Sequence, residues 1–240
     1  MSYWGELICP TWSDFDIDNI LFSSLLPFSS PKVRASKRIG PHNYEVLSIL
    51  FGSMLGDCSA EKHGKGVRFC FQQEHSNNAY LLWFHNYLAS LGYCSPTIPK
   101  LATRLSNKGK IRQLSRFKTF TYTSFNWIYD VFYVNGVKIV PPIISEYLSP
   151  LALAVWIMDD GSIVSSGLKI ATNSFTKEDV QLLCNVLKEK YGIKATVILA
   201  GAKSKDQYFV YISKFSMAKL AQIVKPHMHR SMYYKLNGYL

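Results

Sequence analysis

The sequence predicts an α+β protein made of two αββαββα units related by a pseudo-twofold axis, with a central pair of apolar helices. Three observations lead there. The chain repeats itself, each copy opens with an apolar helix closing on an aspartate, and segments of strand period follow each of those helices.

The opening helices are residues 44–57 (YEVLSILFGSMLGD) and 149–160 (SPLALAVWIMDD), with Asp57 falling on Asp160. Residues 68–98 then align without a gap on residues 168–198, at an offset of 100. Each segment begins as a short strand, passes a polar turn and takes up helix spacing, through Tyr80, Leu81, Phe84 and Leu88 in one copy and Val180, Leu183, Val186 and Leu187 in the other. Gly92 and Gly192 fit the left-handed position that ends a helix. Strands are expected next at 95–98 and 195–199, and again at 120–124 (FTYTS) and 209–213 (FVYIS), leading into a last helix in each unit. Residues 1–40 do not join the repeat. The expected organisation is an N-terminal extension (1–40), a first unit (41–147) and a second unit (148–240).

Composition narrows the function. A chain of 240 residues, 48% hydrophobic and 14% aromatic, has the apolar surface for a packed core, against disorder. Its longest apolar run, residues 151–158, falls well short of the roughly 20 that cross a bilayer, so no membrane association is expected. The first basic residue is Lys32, which predicts neither a secretory signal nor a mitochondrial presequence. Five cysteines without a CxxC pair predict neither a disulfide scaffold nor a Cys-based zinc site. The net charge is +11. No acidic residue lies between Glu74 and Asp130, and that gap carries Lys100, Arg104, Lys108, Lys110, Arg112, Arg116 and Lys118. A second acid-free stretch, residues 207–240, carries Lys214, Lys219, Lys225, Arg230 and Lys235. Clustered cations of this kind neutralise phosphates and release condensed counterions, so a nucleic acid is the expected partner. Lys32, Arg34, Lys37 and Arg38 form a basic arm in the extension, expected to reach the same partner.

The repeat brings two aspartates into equivalence. If the opening helices pack about the pseudo-axis, Asp57 and Asp160 meet at one end, and Gly52 and Gly56 allow close backbone approach on the first helix. Ionised carboxylates that close need a cation to offset them. Hard oxygen ligands with open positions favour Mg²⁺, with Mn²⁺ as a substitute. Taken singly, either aspartate reads more readily as a helix-terminal or turn residue making local hydrogen bonds, and it is the repeat relation that reverses the preference.

Leu50 to Cys58 (LFGSMLGDC) and Leu153 to Gly161 (LAVWIMDDG) resemble the two motif copies of single-chain LAGLIDADG homing endonucleases. NYLASLGY, FYVNGVKIVPP, TNSFTKEDV and HMHRSMYYKL resemble the monomeric, mitochondrial group I intron-encoded members, and the likeness runs over about residues 44–236. The resemblance implies that the motif helices form the central interface and that Asp57 and Asp160 hold catalytic metal ions, with the carbonyls of Gly56 and Asp159 as helpers. It implies a basic residue near each scissile phosphate, by local match Lys138 and Lys235. It implies polar water-positioning groups at the strand ends, by match Gln72 or Gln73, and Asn173 opposite; on a strand such residues also read bases. Val155 and Asp159 stand where Gly52 and Gly56 stand in the first copy, so unequal active sites are expected.

The fold implied is two curved antiparallel sheets forming a saddle over double-stranded DNA, whose major groove admits a β-ribbon. Candidates for that surface are Arg68, Gln73, Lys100, Arg104, Lys108, Lys110, Arg112, Arg116, Lys118 and Tyr122 in the first unit. In the second they are Lys169, Thr172, Lys203, Lys205 and Tyr208. Two motifs in one chain imply a monomer cutting a long, asymmetric site. A splicing maturase binding its own intron RNA is the alternative. Origin in a mitochondrion fits best, with a chloroplast or bacterium also compatible.

Overall fold

The computed structural model describes residues 33–38, 40–105, 109, 111–201 and 206–239. Lys32, Lys108, Lys110, Lys203 and Lys205, named above as candidate contacts, lie outside them.

The first unit begins with helix α1 (Tyr44–Leu55), whose Asn43 side chain accepts from the Glu45 amide at 2.8 Å. Strands β1 (Ser59–His63) and β2 (Gly66–Glu74) form a hairpin, followed by α2 (Asn78–Ser90), β3 (Leu101–Leu105), β4 (Ile111–Lys118) and α3 (Asn126–Phe132). A small hairpin, β5 (Tyr133–Val134) and β6 (Val137–Lys138), turns at Asn135 and Gly136, both at positive φ. After a single turn, α4 (Ile144–Tyr147), the second unit runs α5 (Pro150–Asp160), β7 (Gly161–Val164), β8 (Gly167–Ala171), α6 (Lys177–Tyr191), β9 (Ala195–Leu199), β10 (Tyr208–Ile212) and α7 (Lys214–Val224). Ser149 caps α5 and Pro150 supplies its first turn, while Thr176 and Asp179 form a reciprocal capping box on α6.

The expected αββαββα order is present twice. Each unit builds a four-stranded antiparallel sheet, β1-β2-β4-β3 and β7-β8-β10-β9. Helices α1 and α5 pack on each other at the centre, and both are buried nearly all round, as helices apolar on every face must be. Gly52 makes the approach possible, since a Cβ there would lie 2.3 Å from the Ala152 carbonyl oxygen.

Three local expectations are corrected. Residues 95–98 are not a strand; the third strand of the first sheet is Leu101–Leu105, reached after a stretch that turns through a single bridge at Cys94. The fourth is Ile111–Lys118, while residues 120–124 are not a strand; Tyr122 makes one bridge to Val67 and a 3₁₀ turn, Thr123–Phe125, follows. The gap-free offset of 100 also fails inside the strands. Gly66 and Gly167 are equivalent, each with a facing carbonyl where a Cβ would stand (Tyr122 and Ile212), so the offset there is 101. Gly92 and Gly192, at φ 76° and 59°, do end α2 and α6 as expected. A slip of one residue in a strand exchanges its two faces. Val67, Phe69 and Phe71 therefore match Leu168, Ile170 and Thr172 as the rows turned toward the helices.

Candidate active site at the ends of the paired helices

The last turns of α1 and α5 end side by side. A Cβ at Gly56 would lie 2.6 Å from the Asp159 Cβ, so the missing side chain in one motif leaves room for the extra one in the other. Asp159 turns its carboxylate into the protein. There it accepts from the buried Tyr80 hydroxyl at 3.0 Å and from Gln73 Nε2 at 3.2 Å. The same Gln73 amide donates to Asp57 Oδ2 at 2.8 Å, and Asn77 holds the Gln73 oxygen at 3.1 Å.

Burial and mutual repulsion make this a strained electrostatic cluster. Burial first, and then Asp57, pushes Asp160 up to about 7. Burial, then the charges of Asp57 and Asp160, holds Asp159 well above the carboxylate range. Burial also raises Asp57, opposed by the Gln73 hydrogen bond and by Lys235 and Lys138.

The two lysines occupy matching positions. Lys138, carried by the β5–β6 hairpin, reaches the carbonyls of Cys58 at 2.8 Å and Gly56 at 3.4 Å, at the end of α1. Lys235, on the 3₁₀ segment Arg230–Leu236, reaches those of Ile157 at 3.3 Å and Asp159 at 3.2 Å, at the end of α5. Each ammonium thus caps exposed carbonyls at the negative end of a helix dipole. Burial lowers both lysines, against the pull of the aspartates. The carbonyls of Gly56 and Asp159, expected as helper ligands, accept from these lysines.

Among the described residues, no three His, Cys, Asp or Glu side chains are arranged to enclose a metal ion. Two charged carboxylates with room for other ligands fit a hard cation that keeps its waters and takes phosphate oxygens, such as Mg²⁺. They do not fit a closed structural zinc site.

Several expected residues stand elsewhere. Gln73, expected either to position water or to contact DNA, is the buried amide on the carboxylates, and Gln72 is exposed on the other face of β2. Asn173 donates to Gln207 Oε1 at 2.9 Å, away from the aspartates. Thr172 is buried and donates to the Tyr208 carbonyl at 2.7 Å. Tyr122 is buried, its hydroxyl on the Gly92 carbonyl, and Tyr208 shares the helix-facing row of Val210 and Ile212. Arg38 of the basic arm packs inside, its guanidinium 4.4 Å from the centre of the Phe120 ring. The open face of the first sheet keeps Arg68, Lys118, Arg116, Arg112 and Arg104, with Lys100 exposed just before β3. Acids share that face, unexpectedly: Glu61 pairs with Arg68 and Lys118, and Glu74 with Arg112. Lys169 lies on the open face of the second sheet. Tyr80, read from sequence as core packing, is a functional candidate that helix spacing could not separate from a phenylalanine.

A family model described as LAGLIDADG DNA endonuclease matches residues 47–220, spanning both aspartates and both sheets. The chain belongs to this family. It is 49% identical over 213 residues to the cytochrome b mRNA maturase bI2 of Saccharomyces cerevisiae, covering 85% of this chain and 50% of that one. It is 50% identical over 202 residues to the maturase of the same name from Debaryomyces hansenii, covering 83% and 76%. The chain thus spans about half the length of the S. cerevisiae relative. A solved structure of the homing endonuclease I-WcaI, bound to its DNA recognition sequence, superposes with a TM-score of 0.75 at 26% identity, covering 89% of this chain and 96% of that one.

Proposed function

We propose that this chain is a monomeric, Mg²⁺-dependent homing endonuclease that cuts both strands of a long, asymmetric DNA site. The observation that carries the reading is the pair of aspartates at equivalent ends of two packed helices, each with its own lysine on the closing carbonyls.

Asp57 and Asp160 would hold the cations. A bound Mg²⁺ neutralises charge on the scissile phosphate and lowers the pKa of a bound water. The remaining work falls to the chain. The Lys138 and Lys235 ammoniums sit where negative charge grows on the phosphate oxygens, preorganised by the carbonyls they cap. Gln73 orients the Asp57 carboxylate from below, and Tyr80 orients Asp159. At the 101-residue offset the exposed Ser174 stands in the place of Gln73, so the Asp160 side has no amide at that position, and the two strands are cut at unequal rates. The open faces of the two sheets would lie along the major groove, phosphate contacts fixing register and base contacts giving specificity.

A second reading is favoured by the names of two close relatives, both cytochrome b mRNA maturases. It makes the intron RNA a further partner and a mitochondrion the site of action. Incubation with a randomised duplex library in Mg²⁺, against EDTA and an Asp57→Asn/Asp160→Asn control, tests the first reading. Enrichment of one long asymmetric cleaved site supports it. Retention of group I intron RNA without any cut duplex would replace it with the maturase.

A further inference from the structure

The two open sheet faces differ in chemistry. In the first sheet, cross-strand neighbours on that face are Gln72 with Arg116, Cys70 with Lys118, Arg112 with Arg104, and, in one row between them, Glu74 with Leu114 and Ala102, the single apolar pair of that row set. In the second, one row runs Lys169, Tyr211 and Thr196, and the next runs Ala171, Phe209 and Ile198. The buried Leu168, Ile170, Val210 and Ile212 occupy the alternate positions, which fixes these rows on the side away from the helices. Lys169 lays its ammonium 4.4 Å from the centre of the Phe209 ring.

A guanidinium or amide on a groove-facing strand matches the paired acceptors of guanine or the donor and acceptor of adenine. Methyl-bearing and aromatic side chains have one partner in the major groove, the 5-methyl group of thymine. Phe209 and Ile198, side by side and flanked by the Ala171 and Thr196 methyls, form such a surface in line with the face assigned to DNA above.

We propose that the second sheet reads thymine methyl groups, so that its half-site is A·T-rich while the first sheet reads purine edges through Arg and Gln. The inference rests on the endonuclease reading and names the class of base that each half recognises. It also assigns Phe209 and Ile198, neither of which is a charged or hydrogen-bonding group, as specificity-determining residues.

The test uses the duplex selected from the randomised library. Arg116→Ala should relax base preference in one half-site, which identifies the half under the first sheet. Thymine is then replaced by uracil in one half at a time, removing only methyl groups and leaving the protein unaltered. Equilibrium binding in EDTA should weaken about three- to fourfold per contacted methyl, over several positions in the other half and at no more than the one position under Leu114 in the Arg116 half. The double variant Phe209→Ala/Ile198→Ala should bind the thymine duplex no better than the uracil duplex in that other half. An equal response of the two halves, or a G·C-rich second half-site, overturns the proposal and leaves the endonuclease standing. Absence of any enriched duplex fails both together.

Discussion

The carboxylates at the ends of α1 and α5 are costly residues for an empty protein. Asp160, pushed up to about 7, stands above its ordinary value of 3.8, a difference on the order of 4 kcal/mol between its two protonation states. A folded-state pKa raised in this way adds stability at low pH, and that stability is lost as pH rises through about 7. The melting temperature of metal-free protein should therefore fall between pH 5 and pH 8. Asp160→Asn should flatten the curve and melt higher at pH 8. Adding Mg²⁺ at pH 8 should raise the wild-type melting temperature and leave the Asn variant unmoved; an equal rise in both would refute the ligand assignment. In cleavage, a carboxylate must be ionised to hold the cation, so the rate should drop below neutrality and the fall should move to lower pH as Mg²⁺ is raised. Gln73→Ala removes the amide that orients Asp57, and it should slow one strand more than the other. Strand-resolved single-turnover kinetics would show it as accumulated nicked duplex; equal slowing of both strands would make Gln73 a packing residue only.

The element that carries the geometry is the α1–α5 pair. It works because Gly52 leaves no side chain where the Ala152 carbonyl passes, while the position matched to it in the other motif, Val155, is buried and filled. Gly52→Ala should force the helices apart and cost about 1–3 kcal/mol in denaturant titration, with a larger proportional loss of cleavage than of DNA binding. Unchanged stability would mean that the helices can slide. The lysines show another side of element-level design. Lys138 arrives on a two-residue hairpin turn and Lys235 on a 3₁₀ segment, yet both end on the closing carbonyls of their own motif helix. Lys235→Met leaves those carbonyls without their cation, so its kinetic defect should come with a loss of stability on the order of 1 kcal/mol or more, read as a lowered melting temperature.

Charge distribution matters over the whole molecule. Residues 75–129 contain no acid, yet the sheet places Glu61 and Glu74, from earlier strands, against Arg68, Lys118 and Arg112. On DNA, the exposed Glu74–Arg112 pair, and at somewhat greater cost the half-buried Glu61 pairs, can exchange a carboxylate for a phosphate, since surface ion pairs contribute only about 0–1 kcal/mol. Arg116 and Arg104 lie on the same face. Binding should weaken steeply with salt, and Lys100→Ala, exposed just before β3, should reduce the slope of log K against log salt by about one as a phosphate contact, whereas Arg116→Ala should leave that slope nearly unchanged. A slope that does not change in Lys100→Ala would place Lys100 off the DNA.

The sequence by itself determined the duplication, the two motif helices and their terminal aspartates, while Lys138 and Lys235 came only from the resemblance to the LAGLIDADG family. Those signals are local or short-period: helix spacing, a closing glycine, and text shared between the two halves. The tertiary structure decided what depends on register and on neighbours distant in the chain. A one-residue slip between the repeats moved Thr172 and Tyr208 to the helix side and brought Phe209 to the open face, because strand side chains alternate. Gln73 rather than Gln72 met the carboxylates for the same reason. The Tyr80–Asp159 contact joins two helices 79 residues apart, and no spacing rule reaches that far.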